Sequence, residues 1–175
     1  VGTFRGQLNF GNTALDNAGT QFADIYLAKL DASGSELWAK RFGDGVANAD
    51  SGGGVAIDSQ DNIIITGQFQ NTVTFGTEQL KAATGGDGFS LFVAKFASNG
   101  DHVFSKQFGD AGTQSGLAVA TSVDGSIGLG GRTNGSVDFG GGPKPKPNGQ
   151  RAFLAKLSST GQEIFSELFT GTGDA

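Results

Sequence analysis

Two runs of alternating apolar and polar residues, joined by a short polar turn, recur three times along the chain. The clearest copy is Phe89 to Gly109, in which the two runs meet at Ser98-Asn99-Gly100. Such alternation is typical of β-strands, and Asn-Gly between two such runs predicts a hairpin with a type I′ turn. Similar runs occupy Ile25 to Gly43 and Ala152 to Thr170. The pattern therefore predicts three copies of one hairpin.

A second hairpin is predicted between successive copies of the first. Gly54 to Asp58 turns into Ile63 to Gly67, and Gly116 to Ala120 turns at Asp124-Gly125 into Ile127 to Gly131. No window shows sustained helical periodicity. Two hairpins per repeat predict a four-stranded antiparallel unit. A short apolar segment follows each second hairpin, at Thr72 to Phe75 and Ser136 to Phe139.

The spacing of the copies gives a period of about 64 residues, with approximate repeats 1–66, 67–130 and an incomplete 131–175. Continuous apolar stretches such as Leu91 to Ala94 indicate strands that are covered on both faces, which stacked sheets provide. We therefore predict an all-β fold of about three four-stranded β-propeller blades in an incomplete ring. A β-sandwich is the structural alternative, but it gives no reason for the period.

The ring is expected to be incomplete because propellers close with about 4 to 8 blades. Residue 1 falls just before the position equivalent to Gly67. Three full repeats would therefore need one more copy of the second hairpin, which we call the inner hairpin; the first we call the outer hairpin. Further blades are expected from the same parent chain or from an oligomer.

Composition narrows the functional classes. The 31 Gly residues favour turn-dense β structure rather than disorder, because 15 Phe supply apolar surface. With 12 Lys+Arg against 17 Asp+Glu, nucleic acid and anionic membranes are not expected partners. No apolar run approaches the roughly 20 residues of a membrane-spanning helix. The chain has no cysteine, so it has neither disulfides nor a thiol nucleophile.

The combined motif AK[LF]-x-x-x-G-x-x-[LVI]-[WF]-[AS]-K-x-F-G, followed by G-[VL]-A-[VI]-[DA] and V-[TD]-F-G, covers nearly the whole chain. In the first copy it reads Ala28 to Gly43, Gly54 to Asp58 and Val73 to Gly76. This motif resembles the SBBP-type bacterial β-propeller repeats of large exported proteins of myxobacteria and related bacteria. The resemblance implies a blade architecture and an extracellular or cell-surface location, and it carries no shared catalytic residues.

Residues that recur in every repeat are interpreted as structural, because each blade needs them. The recurrent lysines are expected to lay their methylenes on apolar surface and to bring their ammonium groups to water or a carboxylate. The recurrent aromatic residues are expected in the core between blades. The set comprises Lys29, Lys95, Lys156, Trp38, Phe104, Phe165, Phe42, Phe108 and Phe169.

Loops rich in glycine and acid are weak calcium candidates. Asp44, Asn48 and Asp50 lie together in one loop, and Gly109-Asp110 and Gly173-Asp174 begin similar ones. Calcium takes 6 to 8 oxygen ligands, yet none of these loops has the spacing of a recognised calcium motif. Ordinary turn chemistry explains them as well. No cofactor is therefore expected, and calcium stays open.

The sequence offers few candidate catalytic residues. His102 is the only histidine, it is expected to be exposed beside a turn, and Ser105 is expected on the opposite face of the strand. A carboxylate pair for glycoside hydrolysis stays open. No acid stands out among the candidates, which are Asp50, Asp58, Asp61, Asp87 and Asp124. Pro143 to Pro147 predicts a stiff cationic polyproline loop.

The leading hypothesis is a non-catalytic extracellular scaffold or recognition module of a bacterium. It binds a protein or a polysaccharide of the cell surface through loops on one face of the ring. Two alternatives are a lectin-like carbohydrate binder, with or without calcium, and a glycosidase or lyase propeller fragment.

Overall fold

A computed structural model describes residues 1–17, 22–43, 49–83 and 88–169. These residues form β-strands and turns without any helix, which confirms the all-β prediction. Accordingly, no helix in these ranges is long and apolar enough to cross a membrane. The strands are β1 (Gly2–Phe4), β2 (Gln7–Asn9), β3 (Ala14–Asp16), β4 (Asp24–Leu30), β5 (Glu36–Phe42), β6 (Ser51–Ile57), β7 (Ile63–Phe69), β8 (Thr72–Phe75), β9 (Glu78–Lys81), β10 (Ser90–Phe96), β11 (His102–Phe108), β12 (Gln114–Thr121), β13 (Ile127–Thr133), β14 (Arg151–Leu157) and β15 (Glu163–Leu168).

The strands form three larger antiparallel sheets and two small hairpins. The first sheet has the order β1-β4-β5, the second β11-β10-β7-β6 and the third β12-β13-β14-β15. The small hairpins are β2-β3 and β8-β9. The second and third sheets each combine two hairpins into four antiparallel strands, as the sequence predicts, but each takes its hairpins from two successive repeats and not from one. The first sheet has the same outer hairpin, β4-β5, but only the short β1 beside it.

The turn at Ser98-Asn99-Gly100 differs from the predicted type I′ turn. Only Gly100 has a positive φ, of 87°, and the turn closes through Ala97 N to Asp101 O and Gly100 N to Ala97 O. This is a three-residue turn that ends in one left-handed residue. A separate register shift follows in the strands, where Phe96 pairs with His102 and Lys95 with Phe104. The strongest hairpin signal in the sequence was thus correct for the hairpin and wrong for the turn type.

The inner hairpins align two residues away from the alignment that the sequence motif predicts. Gly52 pairs with Gly67 as Gly116 pairs with Gly131, so Gly116 corresponds to Gly52 and not to Gly54. A displacement of two residues keeps every side chain on the same face of a strand. The apolar pattern therefore looks the same in either alignment.

Two hydrophobic cores lie between the three sheets. The first core joins residues of the first and second sheets, and the second core joins residues of the second and third. In β10, Phe92 and Phe96 belong to the first core while Leu91 and Val93 belong to the second. The second sheet is therefore covered on both faces, as its continuous apolar strands predict.

The small hairpin β8-β9 fills the space between the outer strands of the first and second sheets. Its Phe75 ring lies 4.9 Å from that of Phe42 in β5 and 5.0 Å from that of Phe92 in β10. Phe139 repeats this arrangement one sheet on, 5.0 Å from Phe108 and 5.3 Å from Phe153. The inner strands, by contrast, approach closely: a Cβ added at Gly53 of β6 would overlap the Gly116 carbonyl oxygen of β12.

A ring packed over a glycine recurs in all three sheets. An added Cβ at Gly2 would lie 2.6 Å from the Tyr26 ring. The same contact would be 2.8 Å from Gly67 to the Phe92 ring and 2.6 Å from Gly131 to the Phe153 ring. Each of these glycines is the direct cross-strand partner of its aromatic residue. Only a residue without a side chain leaves room for the ring at these positions.

The recurrent lysines connect each sheet to the turn of the next one. Lys29 Nζ donates a hydrogen bond to the Ser98 carbonyl at 2.8 Å, and Lys95 Nζ donates one to the Ser159 carbonyl at 3.4 Å. Lys95 is also 2.9 Å from the Asp58 carboxylate. The sequence predicted that such a lysine reaches water or a carboxylate. The structure adds backbone carbonyl oxygens of the neighbouring turn as acceptors.

The recurrent aromatic residues differ between sheets. Phe42 and Phe108 are buried, and Trp38 and Phe104 pack partly buried against the two cores. Phe165 and Phe169 of the third sheet are 47% and 51% exposed. The expectation of a core position is therefore wrong for these two, because no further sheet of the described chain covers that face.

Candidate functional site

A hollow of about 540 Å³ lies among the loops at one end of the second and third sheets. We call it the loop hollow. Its volume falls within the range of small-molecule sites. It is formed where the connections β11-β12, β13-β14 and the segment before β10 meet. The lining residues are Gly88, Ala111, Gly112, Thr113, Asn134, Lys146, Pro147 and Gly149.

Asp110 holds two of these connections together. Its Oδ1 accepts hydrogen bonds from Gly112 N at 2.8 Å and from Gln114 Nε2 at 3.2 Å. Its Oδ2 accepts one from Ser136 N at 2.9 Å. Both carboxylate oxygens are thus used by N–H donors of the protein. Gly109-Asp110 was interpreted either as a calcium loop or as an ordinary turn. The hydrogen bonds of the Asp110 carboxylate are those of a turn.

Thr113 and Asn134 form the second tie. The Thr113 amide donates to Asn134 Oδ1 at 2.7 Å, and the Asn134 amide donates to the Thr113 carbonyl at 3.0 Å. Glycine is required beside them, because a Cβ added at Gly112 would lie 2.6 Å from Gly135 Cα. Close backbone approach and paired hydrogen bonds therefore fix the shape of this wall.

Lys146 is the one charged side chain among the lining residues. It belongs to the Pro143 to Pro147 loop, which is anchored at Lys144 by an isolated antiparallel bridge to Val137. Ser136 Oγ also donates to the Lys144 carbonyl at 2.7 Å. The hollow therefore offers a cation, the Asn134 amide, the Thr113 hydroxyl and exposed backbone. That chemistry suits an anionic or hydroxyl-rich ligand.

The calcium candidates receive no support from the described residues. Asp50 is 1% exposed, and its Oδ1 accepts a hydrogen bond from Gln70 N at 3.3 Å. Asp44 and Asn48 lie outside the described residues, as do Asp87 and Asp174. Within the described ranges, no three acidic or histidine side chains come together as a metal site.

His102 and Ser105 meet the same carboxylate, which differs from the prediction. Ser105 donates to Glu78 Oε2 from both N and Oγ at 3.0 Å, and His102 Nε2 lies 3.7 Å from that oxygen. A bulge at Val103, near the start of β11, changes the alternation, so the two side chains share a face. His102 is also largely enclosed, with 12% of its side chain exposed. The carboxylate stands between hydroxyl and imidazole, so no nucleophile-base pair is formed.

The other acidic candidates are used within turns. Burial raises the pKa of Asp58, but hydrogen bonds from Lys95 and Asn62 outweigh it and lower the pKa from 3.8 to about 2. Hydrogen bonds from Ser126 lower the pKa of Asp124 to about 2. Asp61 adopts a left-handed φ of 60° in the turn that Asp58 closes. The lowered pKa values of Asp58 and Asp124 are the opposite of what a general acid needs.

A second hollow, of about 260 Å³, lies on the uncovered face of the third sheet. We call it the sheet hollow. It lies over Gly128 and is bordered by Leu154, Lys156 and the half-exposed Phe165, with Ser122 and Ser126 at one end. The sequence analysis did not identify either hollow. The only signal for the loop hollow was the lysine-proline run.

No family model matches the chain, and no curated protein matches it either.

Proposed function

We propose that this protein is a segment of an SBBP-type β-propeller. The supporting observation is the fan-like arrangement of the sheets. The inner strands β6 and β12 are in close contact, where Thr121 Oγ1 donates to the Ile57 carbonyl at 2.7 Å. The outer strands are held apart by wedges that contain Phe75 and Phe139. Sheets that are close inside and separated outside radiate from an axis, as blades do.

The biochemical role that we propose is recognition without catalysis. The loop hollow carries this proposal, because it is a ligand-sized cavity whose walls are fixed by hydrogen bonds and whose rim bears Lys146. Rigid sheets that present such loops are a common frame for binding. The proposed ligand is a polysaccharide or a protein surface with anionic groups, at the exterior of a bacterial cell.

The test is binding of the full chain to a panel of acidic and neutral polysaccharides. We expect binding to an acidic member that Lys146→Gln weakens at least about tenfold, as loss of a charge-assisted contact predicts. Lys144→Gln is the matched control, since Lys144 lies on the same loop but outside the lining. Equal weakening by both substitutions, or no binding to any member, would contradict the loop hollow as the site.

A lectin-like role is the second candidate, favoured by the amide and hydroxyl of Asn134 and Thr113 in the same hollow. A glycan array with and without a chelator distinguishes the two roles. Binding to neutral sugars identifies the lectin-like role, and its loss with chelator identifies calcium assistance. Hydrolase or lyase activity that disappears on substitution of one acidic residue would instead establish an enzyme.

A further inference from the structure

The sequence contains three Asn-Gly pairs, and the structure places them in different surroundings. They are Asn99-Gly100 in the β10-β11 turn, Asn134-Gly135 after β13, and Asn148-Gly149 before β14. Asparagine before glycine is chemically labile, because glycine has no Cβ to keep its amide nitrogen away from the asparagine side-chain carbonyl. The reaction needs both that nitrogen and that side chain to be free. The three pairs therefore provide a comparison within one molecule.

The first pair is held by its turn. The Gly100 amide donates a hydrogen bond to the Ala97 carbonyl at 2.8 Å. The Asn99 side chain accepts one from Asp101 N at 3.0 Å and donates one to Asp101 Oδ2 at 2.8 Å. Gly100 is also buried, where an added Cβ would lie 3.2 Å from the Trp38 ring. Attack by the Gly100 nitrogen therefore requires the turn to open.

The second pair is held by the wall of the loop hollow. The Gly135 amide is buried and donates to Thr133 Oγ1 at 3.0 Å. Asn134 Oδ1 accepts a hydrogen bond from Thr113 N at 2.7 Å. A Cβ added at Gly135 would overlap the Asp110 carboxylate, so this backbone has no room to move. Both reacting groups of this pair are thus occupied.

The third pair lacks these restraints. Asn148 and Gly149 are both exposed. Among the described residues, neither the Asn148 side chain nor the Gly149 amide has a hydrogen-bond partner. The loop is anchored by backbone pairing at Lys144 on one side and at Arg151 on the other. The Asn148 side chain and the Gly149 nitrogen are therefore free to approach each other.

We propose that Asn148 is a site of spontaneous deamidation. The Gly149 nitrogen, after losing its proton to solvent, attacks Asn148 Cγ: a C–N bond forms, the Cγ–Nδ2 bond breaks, and ammonia leaves. Water then opens the resulting succinimide ring at either carbonyl and gives aspartate or isoaspartate at this position. A side-chain amide and a water molecule thus become a carboxylate and ammonia. The step needs no oxidant or reductant.

The new carboxylate would lie at the rim of the loop hollow. Asn148 stands between Pro147 and Gly149, which both line the hollow, and close in sequence to Lys146. A negative charge there opposes the attraction of Lys146 for an anionic ligand. Deamidation therefore lowers the affinity of the hollow as the protein ages. This consequence rests on the proposed function, whereas the deamidation itself does not.

The experiment incubates the folded chain at mildly alkaline pH in water enriched in heavy oxygen and follows each Asn-Gly pair by peptide mass spectrometry. We expect deamidation at Asn148 to be at least about tenfold faster than at Asn99 and Asn134, whose hydrogen bonds must open first. In urea, all three should react at similar rates. Equal rates in the folded chain would overturn the proposal. So would a rate at Asn148 that unfolding in urea raises by about tenfold or more.

Asn148→Gln is the matched control. It keeps an amide at this position, but its longer side chain would have to close a larger and less favourable ring. The deamidation signal of this peptide should therefore disappear, while the rates at Asn99 and Asn134 stay unchanged. A signal that persists in the variant would place the reaction at another residue and overturn the assignment.

Asn148→Asp imitates the product and tests the effect on the loop hollow. We expect it to weaken binding of polygalacturonate, an acidic polysaccharide, by about threefold or more. Unchanged binding in this variant, where Lys146→Gln weakens it, would overturn that effect. If the parent chain binds no acidic polysaccharide, the proposed function fails and the effect on affinity fails with it. The three deamidation rates decide the modification in either case.

Discussion

Two equivalent faces of neighbouring sheets carry different residues. One is the face of the second sheet that packs on the third sheet, and we call it the covered face; the other is the uncovered face of the third sheet. Ile64, Val93 and Lys95 of the second sheet are 0%, 0% and 5% exposed. The same positions of the third sheet hold Gly128, Leu154 and Lys156. The covered face has the larger side chain at the centre, while the uncovered face has a glycine there and a hollow above it.

The two sheets therefore share their backbone structure more closely than they share the size of the side chains on this face. The turns, the aromatic residues over glycine and the lysine positions are the same in both sheets. At the centre of the face, an apolar side chain is present where a neighbouring sheet covers it, at Ile64, and is absent where none of the described sheets does, at Gly128.

The largest effect is expected at the centre of the covered face. Ile64→Ala should lower the free energy of unfolding by about 4 kcal/mol, because it opens a cavity between two sheets that cannot collapse onto it. Leu154→Ala, on the uncovered face, should cost about 0.5 kcal/mol or less. Urea denaturation measures both. Similar losses would mean that the third sheet is covered in solution.

The two lysines provide the next comparison. Lys95→Met should cost about 3 kcal/mol, because it leaves the buried Asp58 carboxylate without its cation. Asn62 and Gln60 still donate to that carboxylate, so the loss stays at the lower end of what a broken buried pair costs. Lys156→Met should change stability by about 0.5 kcal/mol or less. An equal loss in both variants would contradict the assignment of Lys156 to an open face.

Acid should weaken the same buried pair. The pKa of Asp58 is depressed to about 2 in the folded chain, against an ordinary value of 3.8. Its stabilising contribution is therefore complete above about pH 4 and is lost as the pH falls toward 2. The stability difference between the parent chain and Lys95→Met should shrink across this window. Denaturation at several pH values from 5 to 2 checks it, and a constant difference would exclude the ion pair.

The smallest effect is a gain on the uncovered face. A Cβ added at Gly128 has only the Ala120 carbonyl oxygen nearby, at 3.9 Å. Gly128→Ala should therefore stabilise by about 0.5 to 1 kcal/mol, because glycine costs entropy within a strand. Gly131→Ala is the contrast, since its Cβ would meet the Phe153 ring at 2.6 Å. Thermal unfolding distinguishes the two signs. A loss at Gly128 would indicate that another molecule fills the sheet hollow.

Much of the fold follows from the alternation and period of the sequence. The hairpin at Phe89 to Gly109, the described part of the hairpin at 152–170, and the absence of helices from the described residues were predicted correctly. The type I′ turn was wrong because Asn-Gly is also compatible with a longer turn that has one left-handed residue. The two-residue misalignment of the inner hairpins arose because a shift by an even number preserves the apolar pattern.

The candidate sites were less predictable, because they depend on contacts between distant segments. Asp110 was identified as a loop acid, but its bond to Ser136 depends on how β13 ends beside it. The His102 environment was wrong because a bulge reversed the alternation that placed Ser105 on the opposite face. Lys146 was noted for its proline neighbours, while the hollow that it borders is formed by three segments of the chain that are distant in sequence.

The three aromatic rings that lie over glycine have a consequence for folding fidelity. A chain with 31 glycines and three near-identical hairpins has many ways to pair a strand one step out of place or with the wrong copy. At Gly2 and Gly67, a slip of one residue in either direction would place a side chain against the aromatic ring. At Gly131, a slip that brings Arg132 opposite Phe153 would do the same. Each pair thus disfavours the misaligned register sterically.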